Sequence, residues 1–162
     1  MNAKDEPSVD EPSVDEQREL LITRLFKAPR ALVFKAWTTP DHLAHWSGPH
    51  GFTTPHHSMD LRPGGAYRAC LRASDGSDHW VQGQYLEIEE PERLVFTHAW
   101  ADAHGNPGHE TLVTVTFADH EGQTLMTFHQ ARLDSAKSRD GHGGGWSGSF
   151  ERLEAFLEQV MA

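Results

Sequence analysis

The chain has 162 residues, enough for one domain with a hydrophobic core. Its formal net charge of −10 argues against a nucleic-acid binder, whose affinity comes from Lys and Arg neutralising phosphates, and against docking on anionic membranes. The lone cysteine, Cys70, excludes an intramolecular disulfide framework and a multi-cysteine zinc site.

Half of that charge belongs to residues 1–19, where seven acids stand against Lys4 and Arg18. This segment repeats Asp5-Glu6-Pro7-Ser8-Val9 as Asp10-Glu11-Pro12-Ser13-Val14. It has too few apolar groups to offset the entropy of ordering, so residues 1–19 are expected to be a disordered acidic tail and residues 20–162 the folded domain. The N-terminus lacks an apolar leader core and no stretch is long and apolar enough for a membrane span, which makes a cytoplasmic location the expectation.

The folded part opens with Leu20-Leu21-Ile22-Thr23-Arg24-Leu25-Phe26, a short β-branched and aromatic run that reads as a strand and stops before Pro29. Leu32, Val33, Ala36 and Trp37 recur at helical spacing. A second short helix follows Thr39-Pro40-Asp41, with Thr39 placed to cap and Pro40 suited to the first helical position.

From residue 52 to 131 the period becomes two. Strands over 53–60 and 66–72 flank Arg62-Pro63-Gly64-Gly65, and strands over 80–89 and 93–100 flank Glu90-Pro91-Glu92. A third pair, over 111–117 and 124–131, flanks Asp119-His120-Glu121-Gly122. Three successive hairpins imply an antiparallel sheet covered on one side. Gly141-His142-Gly143-Gly144-Gly145 reads as a connector or flexible lid. After it, Trp146, Phe150, Leu153, Leu157 and Val160 form one stripe of a closing amphipathic helix, with Arg152 among the residues outside the stripe.

Four segments of this chain resemble the activator of heat-shock-protein-90 ATPase homologue-like family. They are His45-Trp46-Ser47-Gly48-Pro49-His50-Gly51-Phe52-Thr53, the turn Asp60-Leu61-Arg62-Pro63-Gly64-Gly65, the hairpin containing Gly83-Gln84-Tyr85 and Pro91-Glu92-Arg93-Leu94, and Gly145-Trp146-Ser147-Gly148-Ser149-Phe150-Glu151-Arg152-Leu153. They follow the family's order from about residue 20 to residue 160. The resemblance implies an α+β, START-like helix-grip fold: a curved seven-stranded antiparallel sheet in the order β-α-α-β6-α around a long C-terminal helix. That superfamily contains ligand carriers, cyclases and hydrolases, self-sacrificing resistance proteins and a co-chaperone domain, so function must be argued from the cavity.

The chemical candidates are few. His42 and His45 lie one helical turn apart, and His50, His56 and His57 follow, but without a metal-binding signature these read as surface histidines. His104 and His109 fall in a glycine-containing loop. Ser147 lacks both the second glycine and the preceding strand of a nucleophile elbow. Cys70 reads as a small buried apolar residue, and Asp60, Arg62 and Arg68 as parts of a salt-bridged turn. No cofactor or metal is called for. A helix gripped by a curved sheet leaves space for a ligand, and alternation puts Leu94, Phe96, His98 and Trp100 on one strand face. In the strand over 80–89 either face can be the inner one, with Gln82 a possible polar group of the wall.

The expected pocket residues are Phe34, Trp37, Trp46, Phe96, His98, Trp100, Trp146, Phe150 and Leu153. The leading expectation is binding of a hydrophobic or aromatic small molecule, lipid- or polyketide-like, between sheet and C-terminal helix. A cofactor-independent cyclase or hydrolase using His98 or His129 as general acid/base is the catalytic alternative. A co-chaperone-like role, with a heat-shock-protein-90 ATPase as partner, is the third.

Overall fold

Strands that alternate in period two and are joined by tight turns pair with their chain neighbours, and the computed structural model of residues 18–102 and 104–162 follows that rule. The elements run β1 (Leu20–Phe26), α1 (Arg30–Thr38), α2 (Pro40–Trp46), β2 (Thr53–Met59), β3 (Ala66–Arg72), β4 (Asp78–Glu89), β5 (Arg93–Trp100), β6 (Thr111–His120), β7 (Gln123–Ala131) and α3 (Ala136–Met161). One curved sheet takes the order β1-β7-β6-β5-β4-β3-β2, every neighbouring pair antiparallel. Consecutive hairpins build it from β2 to β7, and β1 then closes against β7. The fold is the α+β helix-grip architecture, with all three helices on one face. Among the described residues, no helix is long and apolar enough to cross a membrane.

The acidic-tail expectation for residues 1–17 lies outside the described residues. Arg18 and Glu19, assigned to that tail, are instead tied to the fold. The Leu133 N–H donates to the Arg18 carbonyl at 3.0 Å, and Glu19 Oε1 lies 2.7 Å from His129 Nε2.

Local chemistry sets most element limits. Pro40 takes the first turn of α2 as expected, though the Thr39 hydroxyl makes no capping bond. The turn between β2 and β3 needs its glycines. Gly64 has φ +84°, and a Cβ on Gly65 would stand 1.9 Å from the Asp60 carbonyl oxygen. Arg62 Nε pairs with Asp60 Oδ2 at 2.7 Å across this exposed turn, whereas Arg68 stacks its guanidinium over the Trp80 ring at 4.0 Å on the outer face of the sheet.

Helix α3 differs most from the sequence reading. It begins at Ala136, not at Trp146, so the glycine run is helical and not a lid. Each glycine costs about 1 kcal/mol relative to alanine in a helix interior, which is why propensity alone starts the element too late. Ser135 caps the N-terminus, its side chain accepting from the Ser138 N–H at 3.0 Å. Further along, Trp146, Phe150 and Leu153 dock the helix onto the core.

Arg152, expected on the outer face, instead reaches back to the end of α2. Its Nη1 donates to the carbonyls of Ser47 at 2.7 Å, Gly48 at 2.8 Å and Pro49 at 3.3 Å, and its Nη2 to that of His45 at 3.1 Å. A positive guanidinium at a helix C-terminus satisfies carbonyls that lack intrahelical partners and complements the helix dipole. The clamp holds the α2–β2 loop against α3. Replacing Arg152 with Met should cost about 1.5–3 kcal/mol of stability, the range for hydrogen bonds to a charged group, measured as a lower urea midpoint at unchanged slope.

Candidate functional site

Helix α3 packs mainly on β1 and on α1 and α2, and α2 packs on β2, which leaves β3, β4 and β5 without a helix packed closely on them. Register decides which side chains enter that space. His57 pairs with Ala69, Ala69 with Val81, and Val81 with Trp100, so one cross-strand row runs over four strands. Tyr85 sits opposite Phe96 on the same face. A bulge between Tyr85 and Glu87 then breaks the alternation in β4 and turns Ile88 toward the core. Gln82, considered for the wall, belongs to the opposite face from Val81.

The space forms two adjoining compartments. The inner chamber, about 90 Å³, is enclosed by Trp37 and Trp46 from the helices and by Tyr67, Tyr85 and Phe96 from the sheet. The outer compartment, about 480 Å³, opens between Phe52, His79 and Trp100 on one side and the first half of α3 on the other. Gly48, Leu71, His98 and Trp146 wall both. Gly83 makes room for the chamber wall. A Cβ there would stand 2.7 Å from Tyr67 Cε2, and the Tyr67 ring leans past it to donate from its hydroxyl to the Thr97 carbonyl at 2.7 Å.

A buried polar relay fixes the shared wall. Trp146 Nε1 donates to Gln130 Oε1 at 2.9 Å, Gln130 Nε2 donates to Thr111 Oγ1 at 2.9 Å, and Thr111 Oγ1 donates to the His98 carbonyl at 2.8 Å. Gln130 is fully buried, so this chain supplies the partners its amide requires. The His98 ring packs against Trp146, Trp100 and His142 at centroid distances of 5.5, 5.8 and 6.3 Å. His142 is oriented in turn, its Nδ1 donating to the Ser138 carbonyl at 2.8 Å.

No Lys, Arg, Asp or Glu lines either compartment among the described residues. Burial, with some repulsion from His142, pushes the His98 imidazole down to about 3. Burial, helped by His56, pushes His57 down to about 4. Burial raises the Tyr67 and Tyr85 phenols above their usual range. Both tyrosines and both histidines therefore stand uncharged near neutral pH. Two polar atoms of the inner wall, Trp37 Nε1 and His57 Nδ1, are buried without a hydrogen-bond partner among the described residues.

Trp37, Trp46, Phe96, His98 and Trp146 from the expected pocket set line the inner chamber, and Trp100 joins His98 and Trp146 around the outer one. Phe34, Phe150 and Leu153 do not line the cavity. They are fully packed where α1 and α3 cover the sheet, Phe34 edge-to-face on Phe117 at 5.6 Å and Phe150 against Trp37 at 6.0 Å and Phe128 at 5.3 Å. His129 lies on the opposite sheet face, paired with Glu19, away from His98. The rings of His42 and His45 sit 5.1 and 5.0 Å from the Phe156 ring. Among the described residues, no group of three or more His, Cys, Asp or Glu side chains converges in a way that would hold a metal.

Tyr67, Leu71, Tyr85, His57 and His142 escaped the sequence reading. Period two in β3 links Tyr67, Ala69 and Leu71 and could have found two of them. His57 and His142 carried no signal, one being read as a surface histidine and the other as part of a loop.

The model of the family described as activator of Hsp90 ATPase homolog 1-like protein matches residues 27–158. The chain belongs to that family. Among solved structures, a Chromobacterium violaceum protein is 31% identical with a TM-score of 0.79, covering 87% of this chain and 97% of its own. A solution structure from Arthrobacter aurescens is 26% identical with a TM-score of 0.80, covering 93% and 92%. The AHSA1 protein of Silicibacter pomeroyi, 24% identical, shares the fold with a TM-score of 0.81 over 88% of this chain and 99% of that one. No curated protein matches the sequence.

For this family member the buried histidines fix the sign of an acid response. A folded-state value lowered below the unfolded one means that the unfolded chain binds more protons between the two. Stability is therefore lost as pH falls from about 6.5, the unfolded value, toward the folded values near 3 for His98 and 4 for His57. The His98 ring resonances should stay in their neutral positions from pH 8 to pH 5 in a carbon–proton NMR titration. A midpoint inside that window would contradict the burial argument.

Proposed function

We propose that residues 20–162 bind a hydrophobic or aromatic small molecule in the two compartments between the sheet and α3. The observation that supports this most is a pair of adjoining spaces walled by Trp37, Trp46, Tyr67, Tyr85, Phe96 and Trp146, with only a few polar atoms turned inward. Such a wall gives large apolar contact area while the polar atoms orient the guest. A cytoplasmic location belongs to the same reading, as do a small-molecule partner and the exclusion of nucleic acid and membrane as partners.

The catalytic alternative has weaker support. A general base works best with a pKa near the operating pH, and an imidazole at about 3 takes up protons poorly at neutrality. His98 suits a hydrogen-bonding role better, and His129 is turned away from the cavity.

Titration of nitrogen-15-labelled protein with a set of neutral lipids and polycyclic aromatics should move the indole N–H signals of Trp37, Trp100 and Trp146 together. The Trp80 signal, from the outer face, should stay still. Shifts confined to Trp80 and its surface neighbours would rule out the cavity as the binding place.

The family's description favours a second reading, stimulation of an Hsp90-type ATPase. The chain added in excess to a purified Hsp90 homologue should then raise its ATP turnover several-fold. An unchanged rate, with no complex in size-exclusion chromatography, removes this reading.

A further inference from the structure

The outer compartment restricts the chemistry of its guest, an inference that rests on the cavity reading above. On α3 its wall is made by Ser138, Gly141, His142, Gly145, Trp146 and Ser149, whose spacing puts them on one helical face. A Cβ added at Gly141 would meet nothing within 4 Å, and one at Gly145 would meet only Pro49 Cγ at 4.0 Å. Neither glycine is demanded by a close neighbour or by a positive φ. Together they leave a flat strip of helix backbone beside a space of about 480 Å³.

Across that space stand Phe52, Trp100 and His98. His98 is only 7% exposed, and its hydrogen bonding runs through its backbone carbonyl, which accepts from Thr111. The ring nitrogens have no partner among the described residues and belong to the wall of both compartments. A neutral imidazole offers one donor and one acceptor. With no lysine or arginine in the wall, a carboxylate placed here would be buried without a counter-charge, whereas a carbonyl or hydroxyl group would be satisfied by one hydrogen bond.

We propose that the guest is an uncharged, flat aromatic molecule carrying a carbonyl or hydroxyl group, laid against the Gly141–Gly145 strip of α3 and hydrogen-bonded by His98. The site selects against the carboxylate of the same ring.

Isothermal titration of the full chain with three naphthalene probes tests this: an acetylnaphthalene, the naphthoate of the same substitution, and the corresponding ethylnaphthalene. The ketone should bind at least about tenfold more tightly than the naphthoate, a difference of about 1.4 kcal/mol. His98→Leu should weaken the ketone about tenfold and leave ethylnaphthalene unchanged, while His98→Gln, which keeps a donor, should lose less. Gly141→Leu should raise the thermal midpoint, because leucine is the better helix former, and yet weaken all rings that bind. Naphthoate binding as tightly as the ketone overturns the inference and leaves the cavity reading intact. Unchanged ring affinity in Gly141→Leu overturns the proposed position on α3. Failure of all three probes to bind overturns this inference, while the cavity reading stands or falls separately on the lipid and polycyclic titration of the tryptophan signals.

Discussion

A single buried chain of hydrogen bonds decides where the last helix stands. The first half of α3 offers glycine where an ordinary amphipathic helix offers leucine, so it has little apolar surface with which to grip a sheet. Trp146 supplies the missing anchor: its ring docks on Phe128 and Trp37 while its indole N–H is committed to Gln130. Gln130 is held by Thr111, and Thr111 by the backbone of His98. Removing any member would strand a buried polar group, a larger loss than the bond itself contributes. The relay therefore sets the distance between helix and sheet, and with it the width of the space beside His98.

The two halves of the sheet have opposite fates for a simple reason of coverage. Over β1, β6 and β7 the helices α1 and α3 supply enough side-chain volume to exclude water, and Phe34, Phe117, Phe150 and Leu153 are buried there. Over β3, β4 and β5 the overhead cover comes from Trp37, Leu43, Trp46, the loop after α2, Trp146 and the glycine-bearing turns of α3. Rigid aromatic walls do not collapse into the vacancy as flexible aliphatics would. Arg152 contributes from outside by pinning the Ser47–Pro49 loop, which forms the rim of both compartments. Helix, loop and sheet thus keep the hollow end hollow while the other end stays dry.

Much of this fold was legible in the chain because strand periodicity and turn chemistry are local signals. Val113, Val115 and Phe117 share a face in the structure as their alternation requires, and the Pro63-Gly64-Gly65 turn joins β2 to β3. What sequence could not supply was tertiary override. Gly141 to Gly145 reads as a break on propensity, and only docking by Trp146 shows why the helix continues through it. The β4 bulge reassigns Ile88 to the face of Val81 and Tyr85, which strict alternation assigns to Leu86 and Gln84's side. For the site, aromatic spacing located Trp37, Trp46, Phe96 and Trp146 but could not tell a cavity wall from the dry core that took Phe34, Phe150 and Leu153. His57 and Arg152 were misjudged for one reason: a polar side chain reads as exposed until the partner elements are seen around it.

The uncharged lining has a consequence for how this protein responds to its medium. Salt screens interactions between exposed charges over about 8–10 Å at 0.1–0.15 M ionic strength, but it has nothing to screen in a wall built from neutral aromatic, imidazole and hydroxyl groups. Binding of the proposed guest should then be indifferent to ionic strength, while any macromolecule attracted by the net negative charge would be held less firmly as salt rises. One polypeptide thereby carries two surfaces governed by different physics, and added salt separates them.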